Sequence, residues 1–286
     1  MPSFLSFDGS EISYELAGRG EPLVVLPGGP GADVGYLGDL GGLGSGRTLV
    51  LVHPRATGRS AVPEDRSTVS FVQQARDVEE LRRHLGAERI DLLAHSAGCL
   101  TAQEYLAAHS ARVRGAVLTA PVGRVGREPD EAELAALRAG RSGEPWYPDA
   151  AEAARRLAGG AAHGAELADL QRRILPFFWH AWTDQRHIEY RTEHASRVPW
   201  YREAFYAGSA DATSLPHRLA RLAATDRPVL VLAGASDGMI GTAPARAVAA
   251  CLPHARLEVL RRSGHRPWVE EPERFVALVE GFLAGL

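Results

Sequence analysis

Short apolar runs alternate with longer amphipathic segments along most of the chain. Apolar runs of about four to eight residues are typical of strands buried on both faces of a parallel sheet, and apolar positions spaced three or four apart are typical of helices. The helical spacing is found in residues 68–85, 97–108, 242–251 and 272–284. The apolar runs occupy residues 21–26, 47–52, 90–94, 113–119, 228–233 and 257–260. This order predicts βαβ units and an α/β fold with helices on both faces of a mostly parallel sheet.

Two parts of the chain depart from this alternation. Residues 3–17 alternate between apolar and polar positions around an Asp-Gly turn signal, which predicts an antiparallel hairpin beside the parallel strands. After residue 123 the strand-like runs stop, and short helical segments with Gly and Pro joints take their place. We therefore expect two domains: a core from residues 1–123 and 226–286, and a helical cap, or lid, from residues 124–225.

A serine stands at the junction between a strand run and a helix. The segment Ala94-His95-Ser96-Ala97-Gly98 has small residues on both sides of Ser96. In a nucleophile elbow, small residues permit a sharp turn that lifts the serine Oγ above the sheet at the N-terminus of a helix. Ser96 is therefore predicted to be a catalytic nucleophile, with a small-residue helix start as the alternative.

An acid and a histidine follow the serine in the order that this elbow requires. Asp237 comes just after the strand run that ends at residue 233, and His265 comes just after the last strand run. Ligands bind at the carboxyl ends of strands in such sheets. We expect these three residues to form a triad for acyl transfer. Ser96 would be the nucleophile, His265 the general base, and Asp237 the acid that orients the imidazole.

The negative charge that develops in acyl transfer requires two backbone N–H donors. One donor is predicted to be Ala97, directly after the nucleophile. The other is predicted to be Gly29, in the Pro-Gly-Gly-Pro-Gly loop at residues 27–31, because glycine lets the backbone approach a ligand closely. A plain Gly-Pro turn is the alternative interpretation of this loop.

Two loops carry a resemblance to a known family. Residues 27–31 resemble the His-Gly-Gly-Pro-Gly motif of the proline iminopeptidase branch of the α/β-hydrolases, serine peptidases with a helical cap. Residues 53–60, His-Pro-Arg-Ala-Thr-Gly-Arg-Ser, resemble the Asp-x-Arg-Gly-x-Gly-x-Ser loop of that branch. The resemblance covers residues 1–123 and 226–286, and it implies the α/β-hydrolase fold with an eight-stranded sheet and an inserted cap.

The chain departs from these motifs at three positions. Pro27 stands in place of the motif's His, His53 in place of its Asp, and Ala56 in place of a Gly. All three lie in loops and none belongs to the predicted triad. Epoxide hydrolases and haloalkane dehalogenases share the fold but resemble one another in using Asp at the elbow, so Ser96 argues against both.

The resemblance also implies acidic residues in the cap. Relatives that cleave free N-terminal residues hold the substrate ammonium with cap glutamates, because a buried ammonium needs an opposite charge close by. The candidates in this chain are Glu189, Glu193 and Glu203. The alternative is a solvated helix face, since several arginines accompany these glutamates in the sequence.

Aromatic residues are concentrated in the cap. Nine of them fall between residues 177 and 206, and a small cap has little core to fill. We expect some to form an apolar pocket for a bulky substrate group, although packing within the cap is the alternative for each one. The candidates for substrate contact are Phe178, Trp179, Trp182, Trp200, Tyr201 and, after the predicted base, Trp268.

Composition excludes several classes of function. A net charge of −3 and a pI of about 6.4 give no electrostatic footprint for nucleic acid or for an anionic membrane. There is no signal-peptide pattern and no apolar span, and the two cysteines are expected to be reduced thiols, which favours a cytoplasmic protein. Metal-spaced histidines, a Walker loop and a dinucleotide fingerprint are missing, so neither a cofactor nor a metal is expected.

Together these features predict a cofactor-free serine hydrolase that acts on a small molecule or a short peptide with an apolar group. The resemblance favours removal of an N-terminal aminoacyl group from a hydrophobic amide, by an aminopeptidase or an amidohydrolase. A carboxylesterase, a lactonase or a thioesterase is the alternative on the same scaffold. A ligand receptor without turnover is the alternative from another class.

Overall fold

The computed structural model describes residues 1–183, 185–186 and 198–286. In this part of the chain, eight strands form one sheet in the order β1-β2-β4-β3-β5-β6-β7-β8. β2 runs antiparallel to β1 and β4, and the remaining neighbours are parallel. The strands are β1 Ser3–Leu5, β2 Glu11–Gly18, β3 Glu21–Leu26, β4 Arg47–Val52, β5 Ile90–His95, β6 Val113–Thr119, β7 Val229–Gly234 and β8 Ala255–Leu260.

Helices connect the parallel strands and also fill the segment between β6 and β7. Among the described residues, the helices are α1 Phe71–His84, α2 Gly98–His109, α3 Glu131–Ala139, α4 Tyr147–Ala158, α5 Gly164–Arg173, α6 Tyr201–Tyr206, α7 Leu215–Ala223, α8 Ala243–Cys251, α9 Pro267–Glu270 and α10 Pro272–Leu283. No helix in the described ranges combines the length and the apolar composition that a membrane crossing needs.

The predicted elements agree with the observed ones apart from their ends. The helix expected from residue 68 begins at Phe71, because the Oγ of Ser70 accepts a hydrogen bond from the Gln73 amide and caps it, and a 3₁₀ turn, Arg66–Val69, precedes it. The last strand begins at Ala255, two residues before the apolar run. β8 lies at the sheet edge and carries polar side chains there, so apolar content alone underestimates its length.

Two apolar layers hold the helices against the sheet. On one face, α1, α2 and α8 pack through buried residues such as Leu81, Leu106 and Val248. On the other face, α10 and the 3₁₀ turn Val34–Leu37 pack through residues such as Phe275. Each fully buried side chain of this size contributes about 1.5–3 kcal/mol to the free energy of unfolding, so the two layers stabilise the sheet that carries the loops.

The strand register brings the carboxyl ends of the central strands to one edge. Leu26 of β3 pairs with Ala94 of β5, and Ala94 pairs with Leu118 of β6. Farther along the sheet, Gly234 of β7 pairs with Leu260 of β8. The loops that follow β3, β5, β7 and β8 therefore open at the same edge, and they carry the predicted functional residues.

Candidate active site

Ser96 lies in a strained turn between β5 and α2. Its φ angle is 53°, which is rare for a residue with a side chain and which a nucleophile elbow requires. Its amide donates to the carbonyl of Thr119 at 2.9 Å, so the turn is held against β6. Gly98 is needed for close packing, because a Cβ there would lie 2.3 Å from the carbonyl oxygen of Pro27.

His265 and Asp237 lie beside this serine. Nε2 of His265 is 3.0 Å from Oγ of Ser96, and Nδ1 of His265 is 2.7 Å from Oδ2 of Asp237. The other carboxylate oxygen of Asp237 accepts the amides of Met239 and Ile240 at 3.0 and 3.1 Å. The three side chains are almost fully buried, so a hydroxyl, an imidazole and a carboxylate form a hydrogen-bonded line shielded from solvent.

The two residues expected to supply N–H donors lie directly after the serine and in the glycine-rich loop that packs on the elbow. Ala97 begins the first turn of α2, directly after Ser96. Gly29 has a φ of 111°, and a Cβ at this position would lie 2.6 Å from the Ala32 amide nitrogen, so the loop conformation requires glycine. The loop packs tightly on the elbow, since a Cβ on Gly28 would lie 2.8 Å from Cβ of Ser96.

Residues 177–181, in the segment predicted to form a cap, are fixed to the loops that carry Asp237 and His265. The carbonyls of Phe177 and Phe178 accept the amides of Gly238 and His265 at 2.9 and 2.6 Å. The carboxylate of Glu270 accepts amides from both sides of this junction: those of His180 and Ala181, and that of Gly264 in the loop that carries His265, at 2.7–3.1 Å. Residues 177–181 and the two loops therefore form one hydrogen-bonded unit.

The structure also brings two residues to the site that the sequence interpretation did not assign. His95 is fully buried behind His265, with ring centroids 4.7 Å apart, and it contacts the phenol of Tyr36. The position of His95 directly before the elbow serine was a sequence signal for it. Tyr36 had no signal, because its partner His95 lies 59 residues away in sequence.

The aromatic candidates have different surroundings. Phe178 is half-buried and its ring meets the His265 ring edge-on, with centroids 5.6 Å apart. Trp179 and Tyr201 are almost fully buried, the latter stacked on Phe205 of its own helix. Trp268 is almost fully buried and packs edge-on against His95, with ring centroids 4.8 Å apart.

The remaining candidates are partly exposed, fully exposed or outside the described residues. Trp182 and Trp200 are half-buried, and the Arg66 guanidinium covers the Trp200 ring. The side chain of Glu203 is exposed on α6, which is not the buried setting that an ammonium site was expected to have. Glu189 and Glu193 lie outside the described residues.

The surroundings of the arginine loop show how two of the altered motif positions are accommodated. His53 is buried, and its Nε2 lies 3.0 Å from Oε1 of Glu15. Ala56 has a φ of 57°, the left-handed conformation that the motif's glycine adopts without strain. Arg55, which the chain shares with the motif, is fully buried between Asp77 and Asp8. The motif's structural arginine is thus kept although its neighbours differ.

The described ranges contain no group of three or more His, Cys, Asp or Glu side chains arranged to hold a metal ion. The side chains that meet at this edge of the sheet are those of Ser96, His265 and Asp237.

Comparisons with known proteins agree with this fold. The sequence profile described as alpha/beta hydrolase fold matches residues 21–272. A curated proline iminopeptidase of Heyndrickxia coagulans is 22% identical, over 98% of this chain and 97% of its own length. Among solved structures, proline iminopeptidase from Mycobacterium smegmatis and an esterase from Exiguobacterium antarcticum each superpose with a TM-score of 0.71 at 20% identity, covering 99% of this chain and 98% of theirs.

These matches identify the class of the protein. The chain belongs to the α/β-hydrolase fold family, because the family profile spans most of its length. Within this family of hydrolases it resembles the proline iminopeptidases, as its glycine-rich and arginine loops predicted.

Proposed function

We propose that the chain is a serine hydrolase in which Ser96, His265 and Asp237 are the catalytic triad. The observation that carries the proposal is the pair of hydrogen bonds, 3.0 and 2.7 Å long, that join Oγ of Ser96 through His265 to Asp237. These lengths are within hydrogen-bond range, so a proton passes from the hydroxyl to the imidazole without rearrangement of the site.

The proposed reaction has two halves. Ser96 Oγ attacks the substrate carbonyl carbon while its proton moves to Nε2 of His265, and the imidazolium then gives this proton to the leaving amine or alcohol. Asp237 holds Nδ1–H of His265 and stabilises the imidazolium. Water then adds to the acyl-enzyme with His265 as base, which releases the acid and restores the serine.

The tetrahedral oxyanion requires N–H donors beside the serine. We assign these donors to Gly29 and Ala97. The conformation of Gly29 and the packing of its loop on the elbow support this assignment. Preorganised amides of this kind stabilise the transition state by about 3–4 kcal/mol each.

For the substrate, we propose removal of an N-terminal aminoacyl group from a hydrophobic amide. Similarity to proline iminopeptidases over nearly the whole chain supports this class. Phe178, whose ring meets His265 edge-on, is the described aromatic residue best placed to contact the apolar part of a substrate. The ammonium would be held by Glu189 or Glu193, with Glu203 as an exposed third candidate.

A labelling experiment tests the serine hydrolase proposal. A fluorophosphonate should label the protein at one peptide, which mass spectrometry should identify as the one containing Ser96. Ser96→Ala should abolish labelling and lower kcat by roughly 10³- to 10⁶-fold. Activity retained within tenfold would refute the triad, and a folded protein that does not react at any serine would favour a ligand receptor.

A substrate panel tests the proposed class of substrate. Free aminoacyl arylamides should be hydrolysed faster than their N-acetylated counterparts, because acetylation removes the ammonium. Glu189→Gln, Glu193→Gln and Glu203→Gln should then be compared for the same preference. If none of them changes it, the ammonium proposal fails.

A carboxylesterase, lactonase or thioesterase is the second candidate. It is favoured by the exposure of Glu203 and by the esterase from Exiguobacterium antarcticum, which superposes as well as the proline iminopeptidase does. Faster turnover of acyl esters than of aminoacyl arylamides of matched size would support this candidate over the first.

A further inference from the structure

A chain of hydrogen bonds runs behind the elbow serine. The amide of Gly28 donates to the phenol oxygen of Tyr36 at 2.7 Å, and this phenol oxygen lies 2.7 Å from Nδ1 of His95. At the other end, Nε2 of His95 lies 3.0 Å from the carbonyl oxygen of His265. The chain therefore connects the glycine-rich loop, the residue before the elbow serine and the backbone of the base.

The direction of each hydrogen bond in the chain is fixed. A carbonyl oxygen only accepts, so Nε2 of His95 carries the proton and donates to the His265 carbonyl. Burial, together with the nearby His265 and Arg266, holds the pKa of His95 well below its usual range, so the ring is neutral and Nδ1 is an acceptor. The Tyr36 hydroxyl must then donate to Nδ1, and its oxygen accepts the Gly28 amide.

Packing keeps these groups in place. Tyr36 lies in the 3₁₀ turn Val34–Leu37, which Asp33 caps. Its ring centroid is 5.5 Å from that of His95 and 6.2 Å from that of Trp268. The Arg266 guanidinium covers the same ring at 4.7 Å. The Tyr36 ring is therefore packed between His95, Trp268 and Arg266.

We propose that Tyr36 and His95 are positioning residues that set the distance between the oxyanion donors and the catalytic base. This inference rests on the proposed function. One end of the chain fixes Gly28, next to the donor Gly29, and the other end fixes the backbone of His265. The residue between them is joined covalently to Ser96. A displacement of about 1 Å in such a site costs roughly 10²-fold in rate, which is the reason for a rigid link.

This series of hydrogen bonds also explains why Gly28 is not assigned as an oxyanion donor. Its amide proton already points at Tyr36, which leaves the Gly29 amide as the donor that this loop presents to the substrate. Loss of the Tyr36 hydroxyl would free the Gly28 amide to turn, and the Gly29 amide would move with it.

The test compares two tyrosine variants. Tyr36→Phe removes the central hydroxyl, and Tyr14→Phe removes the hydroxyl of another half-buried Tyr–His pair, Tyr14 with His84, outside the site. The readouts are the thermal midpoint and the second-order rate constant of phosphonylation of Ser96 by a fluorophosphonate. Both variants should lose similar stability, but only Tyr36→Phe should lose phosphonylation rate, by about 10- to 100-fold.

A second set of variants tests whether Tyr36 and His95 act through the same hydrogen bond. His95→Gln retains a donor near the Nε2 position for the His265 carbonyl, whereas it loses the acceptor for Tyr36. Both changes break the hydrogen bond between Tyr36 and His95. If this bond acts as proposed, the double variant Tyr36→Phe/His95→Gln should react no more than about threefold slower than the slower single variant.

Two results would overturn the inference. One is a Tyr36→Phe variant that reacts within twofold of Tyr14→Phe, and the other is a double variant whose losses multiply in full. Failure of the proposed function is recognised separately, because in that case Ser96 in the unmodified protein would not be labelled at all.

Discussion

At the scale of single residues, backbone strain is concentrated around the site. Apart from glycine, four described residues have a positive φ, and three of these follow the carboxyl ends of β4, β5 and β6: Ala56, Ser96 and Ala120. A left-handed conformation costs an ordinary residue roughly 1–2 kcal/mol. The sheet edge that carries the loops therefore stores strain, and the packing of the sheet maintains it.

This strain predicts that the elbow serine reduces stability. Ser96→Gly should be more stable than Ser96→Ala by about 0.5–1 kcal/mol, because glycine adopts the φ of 53° without strain, although it loses more entropy on folding. Both variants lack the hydroxyl, so Ser96→Ala is the matched control. Urea unfolding of the two proteins measures the difference. An alanine variant that is equally stable or more stable would contradict a strained elbow.

At the scale of elements, the sequence predicts more about the strands than about the contacts between loops. Ser96, Asp237 and His265 each follow an apolar run, and parallel strands align their carboxyl ends, so their meeting point follows from local patterns. Tyr36 and Glu270 do not follow from local patterns. Their partners lie 59 and up to 90 residues away, and only the folded chain brings them together.

Glu270 illustrates such a contact, and it leads to a prediction. Its two carboxylate oxygens accept the amides of Gly264, His180 and Ala181, so Glu270→Gln replaces one acceptor with an NH₂ group that cannot accept. We expect a loss of about 1–3 kcal/mol in unfolding free energy. If His265 acts as the proposed base, hydrolysis should also slow about tenfold, because the loop that carries His265 loses its support. Steady-state kinetics and thermal unfolding measure the two effects. The control is Glu64→Gln, which changes an exposed carboxylate and should alter neither the rate nor the stability.

At the scale of the whole molecule, a buried ion pair network joins parts of the chain that are distant in sequence. Arg55 donates to Asp77 of α1 at 2.7 and 2.8 Å, to Asp8 of the β1–β2 turn at 2.6 Å and to Thr68 at 3.2 Å. It is fully buried, and Asp77 is almost so. Desolvation of this kind is offset only by complete pairing, so the buried carboxylate of Asp77 depends on the guanidinium.

Arg55→Met should therefore destabilise the protein by about 3–5 kcal/mol, since it leaves Asp77 buried without its cation. Burial already raises the pKa of Asp77 in the intact protein, and loss of Arg55 should raise it further. A raised folded-state pKa favours the folded state when the carboxyl is protonated, and this advantage is lost as pH rises. The deficit of the variant should be largest at neutral pH and should shrink toward about pH 4, where the unfolded chain also binds the proton.

The double variant Arg55→Met/Asp77→Leu separates charge from volume. It removes the cation and the buried anion together, and Asp8 is partly exposed and remains hydrated. The double variant should recover most of the lost stability at pH 7, and it should not show the steep loss of stability with rising pH expected of Arg55→Met, because Asp77 is no longer present to titrate. Urea unfolding between pH 4 and pH 8 measures both properties. If the double variant is as unstable as Arg55→Met at neutral pH, then packing around the guanidinium, and not its charge, holds these segments together.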